Sequence, residues 1–287
     1  NGSWVQLGAD IDGEFADDRF GHSVAMNDLG DRIIAGAYQN DGGGSNSGHV
    51  RVFEYTSGSW GQLGSDIDGR TANIYFGYSV DMNAAGDKIV ASAPWDYSQR
   101  GLTRVYSYSG GTWSQLGQDI LGEANTDYSG SGEGSGLSMN DLGDKIVIGA
   151  RTNDGRGSNS GHTRVYGLES GSWSQLGFDL NGEAANDHSG WSVAINGAGD
   201  RVSSGAIYND GGGSNAGHVR IYELTNGSWV QLGADIDGEF ADDQLGFSVA
   251  MNDLGNRIIA GSRNNDGRGS NSGHVRVFEY ASGSWGQ

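Results

Sequence analysis

The sequence predicts an all-β fold, a five-bladed β-propeller built from four-stranded antiparallel blades. Three observations predict it. A Trp-led unit recurs along the chain, marked by Trp4, Trp60, Trp113, Trp173, Trp229 and Trp285 at spacings of 56, 53, 60, 56 and 56 residues. Each unit holds four short runs that mix apolar and polar residues and end at Gly, Asn, Asp or Ser, as strands do. No stretch combines a 3.6-residue apolar period with caps, so essentially no helix is expected. A period of this length with four strands is the blade of a propeller.

In the first unit the runs are 21–27 (GHSVAMN), 32–37 (RIIAGA), 49–55 (HVRVFEY) and 60–67 (WGQLGSDI). Short turns, Asp28-Leu29-Gly30-Asp31 and Thr56-Ser57-Gly58-Ser59, join the first run to the second and the third to the fourth. Long segments, 38–48 and 68–76, make the other two joins. In an up-and-down sheet this leaves a plain bottom face and an elaborated top face, where loop-borne function belongs. The chain reads as one domain, with repeats at about 12–67, 68–120, 121–180, 181–236 and 237–287, the last completed by 1–11. Residues 1–62 match 226–287 at all but nine positions. Residues 4–11 are therefore expected to pair into the fifth blade as its outer strand and close the ring, hiding both open edges. The competing copy at Trp285 is expected to lose to this longer segment. The second and third units are the irregular ones, at 94–102 and 126–134.

Composition narrows the function. The 287 residues include 53 Gly, one Pro and no Cys, with a formal net charge of -19. That acidity argues against nucleic acid and anionic membrane surfaces, which need a basic footprint. It suits cations or cationic partners. No apolar run approaches the roughly 18–20 residues of a membrane span. No signal peptide is visible, and the opening Asn1-Gly2-Ser3-Trp4 lies inside a motif, so the chain reads as a mature fragment or an engineered piece.

Phe20-Gly21 followed by Ala35-Gly36-Ala37, and Phe76-Gly77 followed by Ala91-Ser92-Ala93-Pro94, resemble the FG-GAP repeats of integrin α-subunit propellers and related bacterial surface proteins. Gly149-Ala150, Gly205-Ala206 and Gly261-Ser262 are weaker echoes, and His49-Val50-Arg51-Val52-Phe53 is similar to the strand after the GAP. The Trp-x-Gln-Leu-Gly strand resembles tandem repeats of large secreted bacterial proteins. The resemblance implies an extracellular or cell-surface adhesion module. Integrin-type propellers have seven blades, against five units here. The family's Asp-x-Asp-x-Asp-Gly calcium loop is replaced by Asn27-Asp28-Leu29-Gly30-Asp31-Arg32, too short to wrap calcium with six to eight oxygens.

Several residues recur from unit to unit. An Asp follows Gln-Leu-Gly (Asp10, Asp66, Asp119, Asp179, Asp235), and an Arg marks the third run (Arg51, Arg104, Arg164, Arg220, Arg276). A His precedes that Arg in four units (His49, His162, His218, His274), with Leu102 in the second. Pairing about the Thr56–Ser59 turn sets His49 opposite Asp66, with Arg51 diagonal to it. Repetition in nearly every blade favours a framework role over catalysis, and the Trp reads as a wedge between blades. The second-to-third loops carry Asn40 and Asp41, Asn153 and Asp154, Asn209 and Asp210, and Asn265 and Asp266. Turn formation explains most of this pattern. The same groups suit sugar hydroxyls, and Tyr38, Trp95, Tyr97 and Tyr208 nearby suit sugar rings; the eight Asn and Asp together with Trp95 and Tyr97 are the candidate ligand-binding residues. Asp12, Glu14, Asp17 and Asp18 are weak candidates for calcium; no cofactor is required. No catalytic elbow, phosphate loop or helical zinc motif is present. The expectation is a monomeric, non-enzymatic recognition module binding a glycan or a surface protein through its top face. A multivalent lectin and a ligand-free scaffold are the alternatives.

Overall fold

The computed structural model describes residues 2–132 and 135–287, so the irregular stretch of the third unit is described except at its residues 133 and 134. It holds five antiparallel sheets. In sheet one the strands Phe20–Met26, Arg32–Ala37, His49–Thr56 and Ser59–Gln62 lie in that order, and Ile67–Asp68 adds to the third. The other sheets repeat the plan, with inner strands Val80–Met82, Leu137–Met139, Ser189–Ile195 and Leu245–Met251. The turns between the third and fourth strands are two-residue, with both central residues at positive φ, as Ser57 (54°) and Gly58 (90°) are. That is the turn whose twist matches paired strands.

The core sits between sheets. Ile34, Val50 and Val52 of sheet one pack with Val80, Met82 and Ile89 of sheet two. Equivalent clusters join sheets two and three, three and four, and four and five. The glycines of the FG and GAP motifs explain how closely the sheets approach. A Cβ on Gly36 would lie 2.1 Å from the Gly77 carbonyl oxygen of the next sheet. Gly149 and Gly205 meet Gly190 and Gly246 in the same way. Between sheets two and three the pair is Ser92 and Gly130, and the Ser92 hydroxyl donates to the Gly130 carbonyl at 2.8 Å.

Two further devices repeat. Each Trp indole donates to a Leu carbonyl of the preceding unit: Trp113 to Leu63, Trp173 to Leu116, Trp229 to Leu176 and Trp285 to Leu232, at 2.7–2.9 Å. The wedge role expected of the Trp is the one observed. The plain-face turns also link sheets in sequence, from the Asp28 amide to Ala84, Ala84 to Asp141, Asp141 to Gly197, and Gly197 to Asp253. Within each such turn an Asn closes the loop. The Asn27 amide oxygen accepts from the backbone amides of Asp31 and Arg32, and its nitrogen donates to the Asp31 carboxylate at 2.7 Å. The side chain therefore does the loop-holding that a cation does in longer loops.

Three expectations are corrected. The fourth run is not one strand: Ser59–Gln62 and Ile67–Asp68 are separated by a bulge around Gly64 at φ 80°. The bulge shifts the register, so His49 pairs with Asp68 rather than Asp66. Residues 4–11 form no strand, and Trp4 is fully exposed. The fourth place in sheet five belongs to Ser284–Gly286, with Trp285 opposite Tyr280. A neighbouring segment joined by a two-residue turn loses far less chain entropy on pairing than one at the opposite terminus. Residues 4–11 lie instead against sheet one, where the Trp60 indole donates to the Leu7 carbonyl at 2.8 Å. Finally, a four-residue helical turn, Asp96–Gln99, interrupts the second unit, with Tyr97 and Ser98 at positive φ.

Candidate functional site

The four Asn of the second-to-third loops are buried and committed to the frame. Asn40 accepts from the Gly42 amide and donates to Asp18; Asn153, Asn209 and Asn265 do the same with Asp127, Asp187 and Asp243. Asp41, Asp154, Asp210 and Asp266 are exposed, each accepting the amide of the Asn five residues on. Of the acids considered for calcium, Asp18 is one of these buried partners and also accepts the Phe15 amide. Asp12 offers its backbone carbonyl to Arg51. Asp17 is exposed in the turn at φ 68°. Glu14 alone of the four joins a cluster, with His49 and Asp66.

Trp95 leads to a different surface. Where the inner strands begin and the second strands end, on the top face, aromatic rings adjoin one another. His22 lies 4.5 Å from Tyr38 and 4.8 Å from Tyr78, centroid to centroid. Tyr78 and Tyr75 lie 5.0 and 4.9 Å from Trp95, and Trp95 5.7 Å from Tyr128. Tilted and edge-to-face pairs at these distances are the favoured arrangements of aromatic quadrupoles. Across sheets four and five Trp191 meets Phe247 at 5.7 Å, and Arg151 and Arg263 cap the two rings at 4.5 and 4.3 Å. Tyr97 stands beside this collar, 42% exposed, with Arg70 over its ring. His188, next to Tyr208, is kept neutral by burial, with Arg151 adding to the downward push on its pKa.

The frame fixes these side chains. The residue before the FG pair has positive φ in every unit: Arg19, Tyr75, Tyr128, His188 and Gln244. This kink turns the loop into the inner strand. Sequence reasoning named Tyr38, Trp95 and Tyr208 singly but missed the collar that joins them to their neighbours, although a signal for it was present. Six of the nine differences between residues 1–62 and 226–287 fall at Arg19, Phe20, His22, Ala37, Tyr38 and Gln39. Their counterparts are Gln244, Leu245, Phe247, Ser262, Arg263 and Asn264. Copies otherwise near identical thus differ at the top of one hairpin.

The second arrangement is peripheral. Arg104, Arg164 and Arg220 each grip their Asp through two nitrogens at 2.7–3.2 Å. The Arg hydrogen bonds hold Asp119 and Asp179 below the usual carboxylate range. At Asp235 burial pushes upward, and Arg220 with His218 and Gln231 outweighs it. His49, His162 and His218 are almost wholly buried, and burial lowers their pKa, so the imidazoles are neutral. Glu14, Glu123 and Glu183 reach over them from the preceding loops.

An all-β repeat frame whose sheets are joined through FG and GAP glycines defines a propeller-like repeat protein. Residues 10–53 match the FG-GAP repeat family. Among solved structures it is similar to the hydrazine synthase of Kuenenia stuttgartiensis, with a TM-score of 0.54 and 11% identity over 90% of this chain and 71% of that one. It is similar also to a putative 6-phosphogluconolactonase from Bacteroides uniformis, with a TM-score of 0.51 and 9% identity over 93% of this chain and 83% of that one. Both likenesses are of fold. No match was found among curated proteins. Among the described residues no helix is long and apolar enough to cross a membrane.

Proposed function

We propose that this chain is an extracellular recognition module whose five sheets act as propeller blades, binding a glycan or surface protein through the aromatic collar of the top face. The observation that supports this reading is the concentration of differences at the collar while the frame repeats. A purely structural surface has no need for His22 and Tyr38 in one copy and Phe247 and Arg263 in the other. Partly exposed Tyr and Trp rings suit the apolar faces of sugars, and aromatic and Arg side chains are enriched at protein interfaces. The two similar structures carry enzyme names, yet at their level of identity they bear on fold alone. Among the described residues the collar rings carry no paired carboxylates, and the reading rests on contact through their faces.

The test is a glycan array and a panel of matrix proteins, followed by Trp95→Ala, Tyr78→Ala and Trp191→Ala on whatever binds. Loss of a well-packed aromatic contact is expected to weaken binding at least about ten-fold, or about 1.4 kcal/mol. Unchanged binding by all three variants would remove the collar from the interface and this reading with it.

A further inference from the structure

We propose that the Glu–His–Asp clusters of sheets one, three and four are binding sites for a first-row transition cation of the zinc type. The clusters are Glu14, His49 and Asp66; Glu123, His162 and Asp179; and Glu183, His218 and Asp235. In each, one ligand atom per residue lies within 4.8 Å of the others.

Two observations beyond the acids point to a ligand. The first is an orphaned atom. His162 and His218 are 2% and 1% exposed, and the Nδ1 of each has no hydrogen-bond partner. Each nonetheless faces two carboxylate oxygens. His218 Nδ1 is 3.8 Å from both Glu183 Oε2 and Asp235 Oδ2. His162 Nδ1 is 4.0 Å from Glu123 Oε2 and 3.8 Å from Asp179 Oδ2. These gaps are too long for hydrogen bonds. An ion about 2.1 Å from each atom would set tetrahedral ligands about 3.4 Å apart, so each His–carboxylate gap need close by only about half an ångström. A neutral imidazole with two carboxylates selects a borderline cation over calcium, which takes oxygen alone. Arg220 and Arg164 hold the carboxylates in place without capping the imidazole nitrogen, a role that outer partners play around metal ligands. With one Arg against two acids, each of these clusters retains one negative charge.

The second observation lies in the repeat. Glu and His occur together in four units, as Glu14 with His49, Glu123 with His162, Glu183 with His218 and Glu239 with His274. In the second unit both are gone, replaced by Arg70 and Leu102, while Arg104 and Asp119 persist at 2.7 Å. A framework built on the Arg–Asp pair would not lose Glu whenever it loses His. Arg70 places a fixed positive charge in that unit instead, bonded to Asp96.

The test is equilibrium dialysis of the chelator-stripped protein against zinc, with cobalt as the spectroscopic probe. Three saturable ions per chain are expected, with cobalt absorption of four-coordinate type. His218→Asn and, separately, Glu183→Gln should each remove one ion while circular dichroism stays unchanged. Joint Arg70→Glu and Leu102→His substitution should add one. Absence of saturable zinc binding, or stoichiometry that neither the removals nor the addition alter in folded protein, would overturn the proposal.

Discussion

Gly64 shows how one residue answers to two constraints. Its φ of 80° lies in the left-handed region, and a Cβ there would stand 2.8 Å from Trp113 Cδ1. Gly58, at φ 90°, has nothing within 4 Å of that position. Gly58→Ala should therefore cost only backbone strain, about 1 kcal/mol, and Gly64→Ala clearly more, because the indole that bonds the Leu63 carbonyl must also move. Urea denaturation of the two variants separates the terms. The buried histidines set the acid side of stability. Burial lowers the pKa of His49, His162, His188 and His218 in the folded chain. Near pH 7 they are neutral in both states, and their contribution is complete. As pH falls below the ordinary value of 6.5, the unfolded chain takes up protons first, so stability declines. Denaturation midpoints of metal-free protein should drop between about pH 6.5 and 5. A flat profile through that window would contradict neutral burial. The lowered Asp119 and Asp179 add a second loss below the usual carboxylate range, as pH falls through their folded pKa.

At the scale of the strand, position in the array outweighs identity. Val50 and Val52 are 0% and 2% exposed, because sheet two covers them. Val275 and Val277 hold the same places in sheet five and are 65% and 55% exposed. Val50→Ala is expected to destabilise by about 2 kcal/mol and Val275→Ala by less than about 0.5 kcal/mol. Equal costs in a denaturation series would mean that the fifth sheet is covered as the first is. The strands themselves were legible in the sequence: 32–37 is the strand Arg32–Ala37, and 49–55 lies within His49–Thr56. The fourth run was not, because alternation cannot reveal that Gly64 leaves the extended conformation. The pairing of His49 followed from that bulge.

Over the whole molecule, stability rests on contacts between sheets rather than within them. Gly36 and Gly261 occupy the same place in units one and five. A Cβ at Gly36 meets the Gly77 carbonyl at 2.1 Å; at Gly261 it meets only the Ser248 hydroxyl. Gly36→Ala should cost more than about 2 kcal/mol, since two backbones must part, and Gly261→Ala much less, since a side chain can rotate away. Thermal or urea denaturation reads the difference, and a similar loss in both would contradict the inter-sheet role of the motif. The collar belongs to this scale too. Tyr38 and Gln39 follow one strand, His22 begins another, and Tyr78 comes from the next sheet, so no local window displays them together.

By itself, the sequence determined the repeat, the first three strands of each unit, the wedge role of Trp and the turn-forming character of the second-to-third loops. These depend on local alternation, turn chemistry and recurrence. Only the tertiary structure decided three further features. Ser284–Gly286 took the edge of sheet five because a short hairpin costs less entropy than pairing with the far terminus. The bulge at Gly64 moved His49 from Asp66 to Asp68 in register, yet left its ring beside Glu14. The collar and the Glu–His–Asp clusters each gather side chains from adjoining units, through sheet-to-sheet packing that no single repeat contains.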